Sequence, residues 1–194
     1  MAAAALSLAA PAVAQDRPGL YISAYGGASS LASTSVTESR PSQATITGTT
    51  SFGSGTGAGG AVGYRYGNGW AAELAWDYRS HKLQRIGDTP VTGEFASTVA
   101  FVNGYYRFAK LGGVRPFIGA GLGYVTEVDM DLGRNGSDQE YSGRGGLATQ
   151  VMVGGEVDLS DRWSLSADLR WSQMGKRRLS STQGGVSEFL CSKH

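Results

Sequence analysis

The chain has almost no cysteine, little charge and no long apolar run. Cys191 is the single cysteine of 194 residues, so no disulfide forms within the chain. Charged residues are 17%, against about 25% in an ordinary soluble domain. The net charge of +1 gives no electrostatic reason to bind nucleic acid or a polyacidic partner. No stretch reaches the roughly 18 apolar residues of a transmembrane helix. Glycine is plentiful at 30 residues, but without a three-residue period, so collagen is excluded. The length suits one domain.

What is present is alternation. In residues 70–79, Trp70, Ala72, Leu74, Trp76 and Tyr78 alternate with Ala71, Glu73, Ala75, Asp77 and Arg79. A strict period of two over ten residues is the mark of a strand with one apolar and one polar face. In residues 163–172, Trp163, Leu165, Ala167, Leu169 and Trp171 alternate with Ser164, Ser166, Asp168, Arg170 and Ser172. Residues 149–159 and 116–128 split the same way, with Gln150, Met152, Gly154, Glu156 and Asp158 on one polar face. Weaker copies fall at residues 20–28, 58–66 and 96–108, and in the last Asn103, Tyr105 and Arg107 form the polar set.

Seven strands follow, with connections that alternate in length. Residues 30–55, 80–94, 129–145 and those from 174 onward are read as long loops; 67–69, 109–115 and 160–162 are tight turns. Long loops at one end and short turns at the other are the pattern of a transmembrane barrel. In lipid the apolar set must face outward. Tyr66, Trp70, Phe108 and Trp163 are then expected in the periplasmic aromatic girdle, and Tyr78, Tyr124 and Trp171 in the outer one. Eight residues of a tilted strand rise about 20 Å, close to the apolar band of about 25 Å.

The opposite set points into the lumen. It carries Arg65, Glu73, Asp77, Arg79, Arg107, Glu127, Glu156, Asp158, Asp168 and Arg170. Both signs are present, and buried charges must pair. An eight-stranded barrel is just wide enough for side chains to fill it. A packed salt-bridge network, not an open pore, is therefore expected. Gly119, Gly121 and Gly123 would leave room for long Arg and Glu side chains from opposite strands.

Four segments carry a resemblance: Tyr21 to Gly27 as Tyr-Ile-Ser-Ala-Tyr-Gly-Gly, Ala72-Glu73-Leu74, Asn103-Gly104-Tyr105-Tyr106-Arg107-Phe108, and Arg115-Pro116-Phe117-Ile118-Gly119-Ala120-Gly121-Leu122-Gly123. The chain resembles the small bacterial outer-membrane β-barrel domain family. That family includes the transmembrane domain of outer-membrane protein A and porin-family surface antigens. The resemblance implies an all-β, eight-stranded antiparallel up-and-down barrel in the bacterial outer membrane, inserted by the barrel assembly machinery. Family members usually close with a strand ending in an aromatic residue. Here only residues 186–190 could begin an eighth strand, so that strand is expected to be truncated or atypical.

Residues 1–14 are apolar and small and end in Ala12-Val13-Ala14, a signal-peptidase pattern that lacks the usual early Lys or Arg. A cleaved signal peptide over 1–14 and a barrel domain over 15–194 are expected. Gly55-Thr56-Gly57-Ala58-Gly59-Gly60 fits G-x-G-x-x-G, but a strand follows where a dinucleotide site needs a helix. Asp129, Asp131 and Asn135 suggest a calcium loop, yet Gly133 stands where a ligand should be. No metal or cofactor is expected. His81, beside Ser80, and His194 are the two histidines, and no paired motif supports a rim-located lipid-modifying enzyme. Lys176, Arg177 and Arg178 lie past Trp171, where clustered cations would face lipopolysaccharide phosphates. The leading expectation is a monomeric, non-enzymatic surface barrel serving envelope integrity or surface contact. A narrow porin, a rim enzyme and a lipocalin-like carrier are the alternatives; the last wants an apolar interior.

Overall fold

The computed structural model describes residues 2–11, 18–40, 43–86, 88–134, 137–175, 177–180 and 186–190. They form one antiparallel sheet of twelve strands in chain order: β1 (Ala2–Pro11), β2 (Gly19–Ser30), β3 (Thr34–Arg40), β4 (Gln43–Arg65), β5 (Trp70–Ile86), β6 (Thr89–Arg107), β7 (Val114–Arg134), β8 (Ser137–Gly143), β9 (Leu147–Asp158), β10 (Ser164–Met174), β11 (Arg177–Ser180) and β12 (Val186–Leu190). The sheet closes on itself. β2 pairs with β4, and the ring continues through β5, β6, β7, β9, β10 and β1 back to β2. Closure satisfies every edge in the ring, which a lipid environment requires.

A second ring stands on the first. β4 to β7 run on past the lower ring, and β8, β11, β12 and β3 complete the circle above it. β3 holds the same register on β4 as β2 does, and β8 the same register on β7 as β9 does. The barrel thus has eight positions, some built from two strands end to end.

This corrects the loop assignments. Much of residues 30–55, 80–94 and 129–145 is paired strand, so these connections are tall hairpins. In 30–55 the Ser, Thr and Gly content hid the strand signal, and in 80–94 the register shift between Leu83 and Arg85 breaks the alternation. The opposite turns are tight as expected. Gly112 and Gly113 take positive φ values of 58° and 90° between Leu111 and Val114, which only glycine adopts without strain. At 160–162 the Ser160 hydroxyl accepts from the Arg162 and Trp163 amides.

The N-terminal segment read as a leader is, in the full chain, the eighth member of the lower ring, lying between β2 and β10. The eighth position is therefore divided, with β12 in its outer part and β1 in its inner part.

One bulge changes a face. Thr98 faces Glu127, but the next pair is Val99 with Val125, so Thr126 is an extra residue in β7. Its hydroxyl donates to the Thr98 carbonyl. An extra residue reverses the inward–outward alternation beyond it. Val128 and Met130 are therefore buried, and Glu127 is exposed. Glu127 is not part of the lumen network.

The outward face is apolar. Leu20, Ile22, Leu74, Val102, Leu122 (68% exposed), Val151, Val153 and Leu169 form a band around the lower ring. Exposed apolar area this continuous is stable only against lipid.

Candidate functional site

The interior is built in layers. At the mouth beside the short turns, the Lys110 ammonium meets the Asp158 carboxylate at 2.5 Å. Just inside, Glu156 accepts from two guanidinium groups, Arg65 at 3.1 Å and Arg107 at 2.7 Å. The Arg65 guanidinium also lies over the Tyr21 ring, 4.8 Å from its centroid. Arg115 is buried and points inward on β7.

The next layer centres on Glu73. Its carboxylate accepts from the Tyr21 hydroxyl, the Asn103 amide and the Tyr105 hydroxyl, each at 3.1 Å. Gln150 in turn donates to Asn103 at 2.7 Å. Glu73 is thus held by neutral donors within the described contacts, not by a direct ion pair. Three donors satisfy most of the hydrogen-bonding capacity of that one carboxylate.

Above it, Arg170 grips Asp168 through Nε and a terminal nitrogen, at 2.8 and 3.3 Å. Another of its nitrogens lies 3.7 Å from Asp77, whose other oxygen takes Arg79 at 3.2 Å. Tyr25 donates to Asp77, and the Arg170 guanidinium stacks over the Tyr25 ring at 4.2 Å. Arg79 reaches across to the Ser172 hydroxyl at 3.0 Å. A cavity of about 60 Å³ lies among these groups, lined by Tyr21, Glu73, Arg107, Glu156, Asp168 and Arg170 among others.

The outer part of the lumen holds an apolar cluster beside the buried Ser29, Thr50, His81 and Ser97. Leu83, Ile86, Val91, Phe95, Val99, Phe101, Val125, Val128, Met130 and Met174 form one buried cluster. Phe52 packs edge-on against Phe95, with centroids 6.0 Å apart. Sequence reasoning missed this plug because half of it comes from residues read as loop.

Of the ten charges expected in the lumen, the structure brings nine inward: Arg65, Glu73, Asp77, Arg79, Arg107, Glu156, Asp158, Asp168 and Arg170. Glu127 lies outside, for the reason above. Missed were Tyr21 and Tyr25, which bind the carboxylates; the Tyr-x-x-x-Tyr spacing on β2 puts both on one face and was a usable signal. The space over Gly119, Gly121 and Gly123 is filled differently from the expectation. Tyr105, Asn103 and Phe101, directly opposite on β6, lie over them, not Arg or Glu from across the barrel. A side chain beside a glycine can lie flat over it, so the nearest strand claims the space first.

Tyr66, Trp70, Phe108 and Trp163 are exposed at the end of the short turns, and Tyr78, Tyr124 and Trp171 toward the other end. Trp76 is also outward, between the two bands. Gly55 to Gly60 lie within β4, with strand on both sides. Asp129 and Asp131 sit on β7, and Asp129 is pushed above the usual carboxylate range by burial and by Glu127, Glu140 and Asp131 around it. Among the described residues no group of three His, Cys, Asp or Glu side chains is placed to hold a metal ion. Lys176 and Asn135 lie outside the described residues, as do the side chains of Arg177 and Arg178.

His81 turns inward, beyond Tyr78, and is 1% exposed. Its Nε2 is 2.8 Å from the Ser29 hydroxyl, and Ser80 bonds to Glu94 instead. Burial, with Arg79 adding to it, holds the imidazole below its ordinary value. In the unfolded chain the ring protonates near pH 6.5, about its unperturbed value. Between that pH and the lower folded value the unfolded state binds the extra proton, so stability falls as pH drops through this window. We expect β5 beyond Tyr78 to open more at pH 5.5 than at 7.5, read by amide hydrogen exchange. His81→Gln should remove that difference; an unchanged difference would rule His81 out as its source.

A family model described as outer membrane protein beta-barrel domain matches residues 1–187. No curated protein and no solved structure matches the chain.

Proposed function

Because the chain belongs to the outer membrane protein beta-barrel domain family, we propose that it is a structural and surface-exposed barrel whose lumen does not conduct. The observation that carries this reading is the apolar plug of Phe95, Phe101, Val125, Val128, Met130 and Met174. Ion-pair layers alone could part and admit water. An apolar cluster packed inside a β-cylinder excludes both water and ions, since hydration must be given up without replacement. The exposed β3–β4 and β7–β8 hairpins are tied to one another through the β3–β12, β12–β11 and β11–β8 pairings, which supports a fixed surface for contact with other cells or molecules.

Export is proposed to use the apolar N-terminal segment as its targeting signal. The reading is non-enzymatic: His81 is sequestered with Ser29 inside the wall, away from any lipid substrate. Outer-membrane lipid, lipopolysaccharide at the outer rim and the barrel assembly machinery are its proposed contacts. Exposed Lys82 and Arg144, beyond the outer aromatics, support the lipopolysaccharide contact.

The second reading, a narrow porin, is favoured by the cavity of about 60 Å³ among the charged layers. Planar-bilayer recording separates the two. We expect no stable single-channel steps from the parent, and steps from a Phe95→Ala, Phe101→Ala double variant. Stable steps from the parent would overturn the closed-lumen reading.

A further inference from the structure

The end of the lumen beside the short turns carries more positive charge than its carboxylates balance. Among the described residues four cations gather there: Arg65, Arg107 and Arg115 inside the wall, and Lys110 at the lip. Two carboxylates answer them, Glu156 and Asp158. Asp161 and Arg162 on the adjoining turn are one of each sign and leave the balance unchanged. However these groups pair, two positive charges are left over. Glu73, the next carboxylate inward, already accepts from Tyr21, Asn103 and Tyr105. Further in, Asp77 and Asp168 are matched by Arg79 and Arg170. The surplus is therefore local to the mouth. A buried cation is costly without a counter-charge, so the mouth favours an anion.

Two further observations point to the same ligand. Arg107 donates from one terminal nitrogen to Glu156 at 2.7 Å, but its Nε is buried and makes no hydrogen bond among the described residues. That side chain is only 9% exposed, so bulk water does not serve this N–H. Arg107 also lines the cavity of about 60 Å³, together with Arg65 and Glu156. One buried water needs about 15 Å³ on this measure, so the cavity has room for roughly four, the size of a compact ion. Guanidinium groups favour phosphate and carboxylate oxygens, with which they form short, charge-assisted hydrogen bonds.

We infer that this mouth is a binding site for a small free oxyanion, a phosphate or carboxylate. Arg107 and Arg65 hold it, and Arg115 and Lys110 add to the field. Glu73 repels it from deeper in the lumen. Glu156 positions the two guanidinium groups and also competes for them. The inference does not depend on whether the lumen conducts, because every group it uses lies on the short-turn side of the apolar cluster.

The test is calorimetric titration of the heat-modifiable protein with inorganic phosphate, in a phosphate-free non-ionic detergent at constant ionic strength. The parent should bind one phosphate saturably. Arg107→Met should weaken binding about tenfold, a factor easily resolved in Kd. Lys110→Gln should weaken it too, and its half-exposed side chain makes misfolding an unlikely source of the loss. Glu156→Gln should strengthen binding, since Gln keeps an acceptor for the guanidinium groups and drops the competing charge. Lys82→Gln removes an exposed cation on the far hairpin and should change nothing. The parent's affinity should persist in phosphatidylglycerol vesicles; its loss there would overturn the free ion in favour of a lipid headgroup. No saturable binding by the parent, equal losses in Arg107→Met and Lys82→Gln, or weaker binding by a folded Glu156→Gln would overturn the site itself.

Discussion

Glu156→Ala is expected to destabilise the folded barrel by about 3–5 kcal/mol, the cost of breaking a buried ion pair from one side. Glu156 is the shared acceptor of Arg65 and Arg107, at 3.1 and 2.7 Å. Their side chains are no more than 9% exposed, so water cannot replace the lost carboxylate without entering the wall. The penalty comes mainly from the two guanidinium groups left behind, not from the net worth of the original pairs. That distinction is testable. Arg107→Met alone removes one cation and leaves Glu156 with Arg65, so it should cost less than Glu156→Ala. In the double variant Glu156→Ala, Arg107→Met the loss should be smaller than the sum of the two single losses. Urea titration in lipid vesicles, followed by heat-modifiable migration, measures each midpoint. Additive losses would show that the pair does not act as a unit.

How much of this was legible in the sequence depends on the face. Where a strand meets lipid outside and charge inside, as in β5 and β10, the two sets differ sharply and the period of two is unmistakable. Nine of ten charges were placed inward from that pattern alone. Glu127 was misplaced because alternation assumes an unbroken register, and nothing in Val125-Thr126-Glu127 announces a bulge. The tall hairpins were taken for loops because above the membrane neither face needs to be apolar. The plug was invisible because Leu83, Ile86 and Val91 fall in the stretch read as loop, where the register shift between Leu83 and Arg85 breaks the alternation. The composition of Ala2–Pro11 describes an export signal, while its place is set by two neighbouring edges that demand a partner.

Gly154→Val is expected to abolish the folded barrel. Gly154 stands opposite Phe117 on β7 and Asp168 on β10. A single added Cβ would lie 2.4 Å from the Ala167 carbonyl oxygen, 2.6 Å from the tip of the Phe117 ring and 2.7 Å from the Asp168 Cβ. The Phe117 ring could swing aside, but that would disturb its edge-on packing against Tyr105 at 5.8 Å. The Asp168 Cβ and the Ala167 carbonyl belong to the strand wall and cannot yield without moving β10. Overpacking in an ordinary core costs about 1–3 kcal/mol; here the clash is with backbone, and valine adds two methyl groups to it. Moving β10 would also pull Arg170 from Asp77 and Ser172 from Arg79, both on β5, and so open the upper ion-pair layer. Gly104→Ala is the control, since nothing lies within 4 Å of its Cβ. It should fold normally and shift the urea midpoint by no more than about 1 kcal/mol, toward greater stability if the unfolded chain is stiffened. Outer-membrane extraction of both variants, scored by heat-modifiable migration, decides the matter. A Gly154→Val protein that migrates like the parent would mean that the aromatic side chains over the lumen glycines are loosely seated, and that the interior owes its closure to the ion pairs alone.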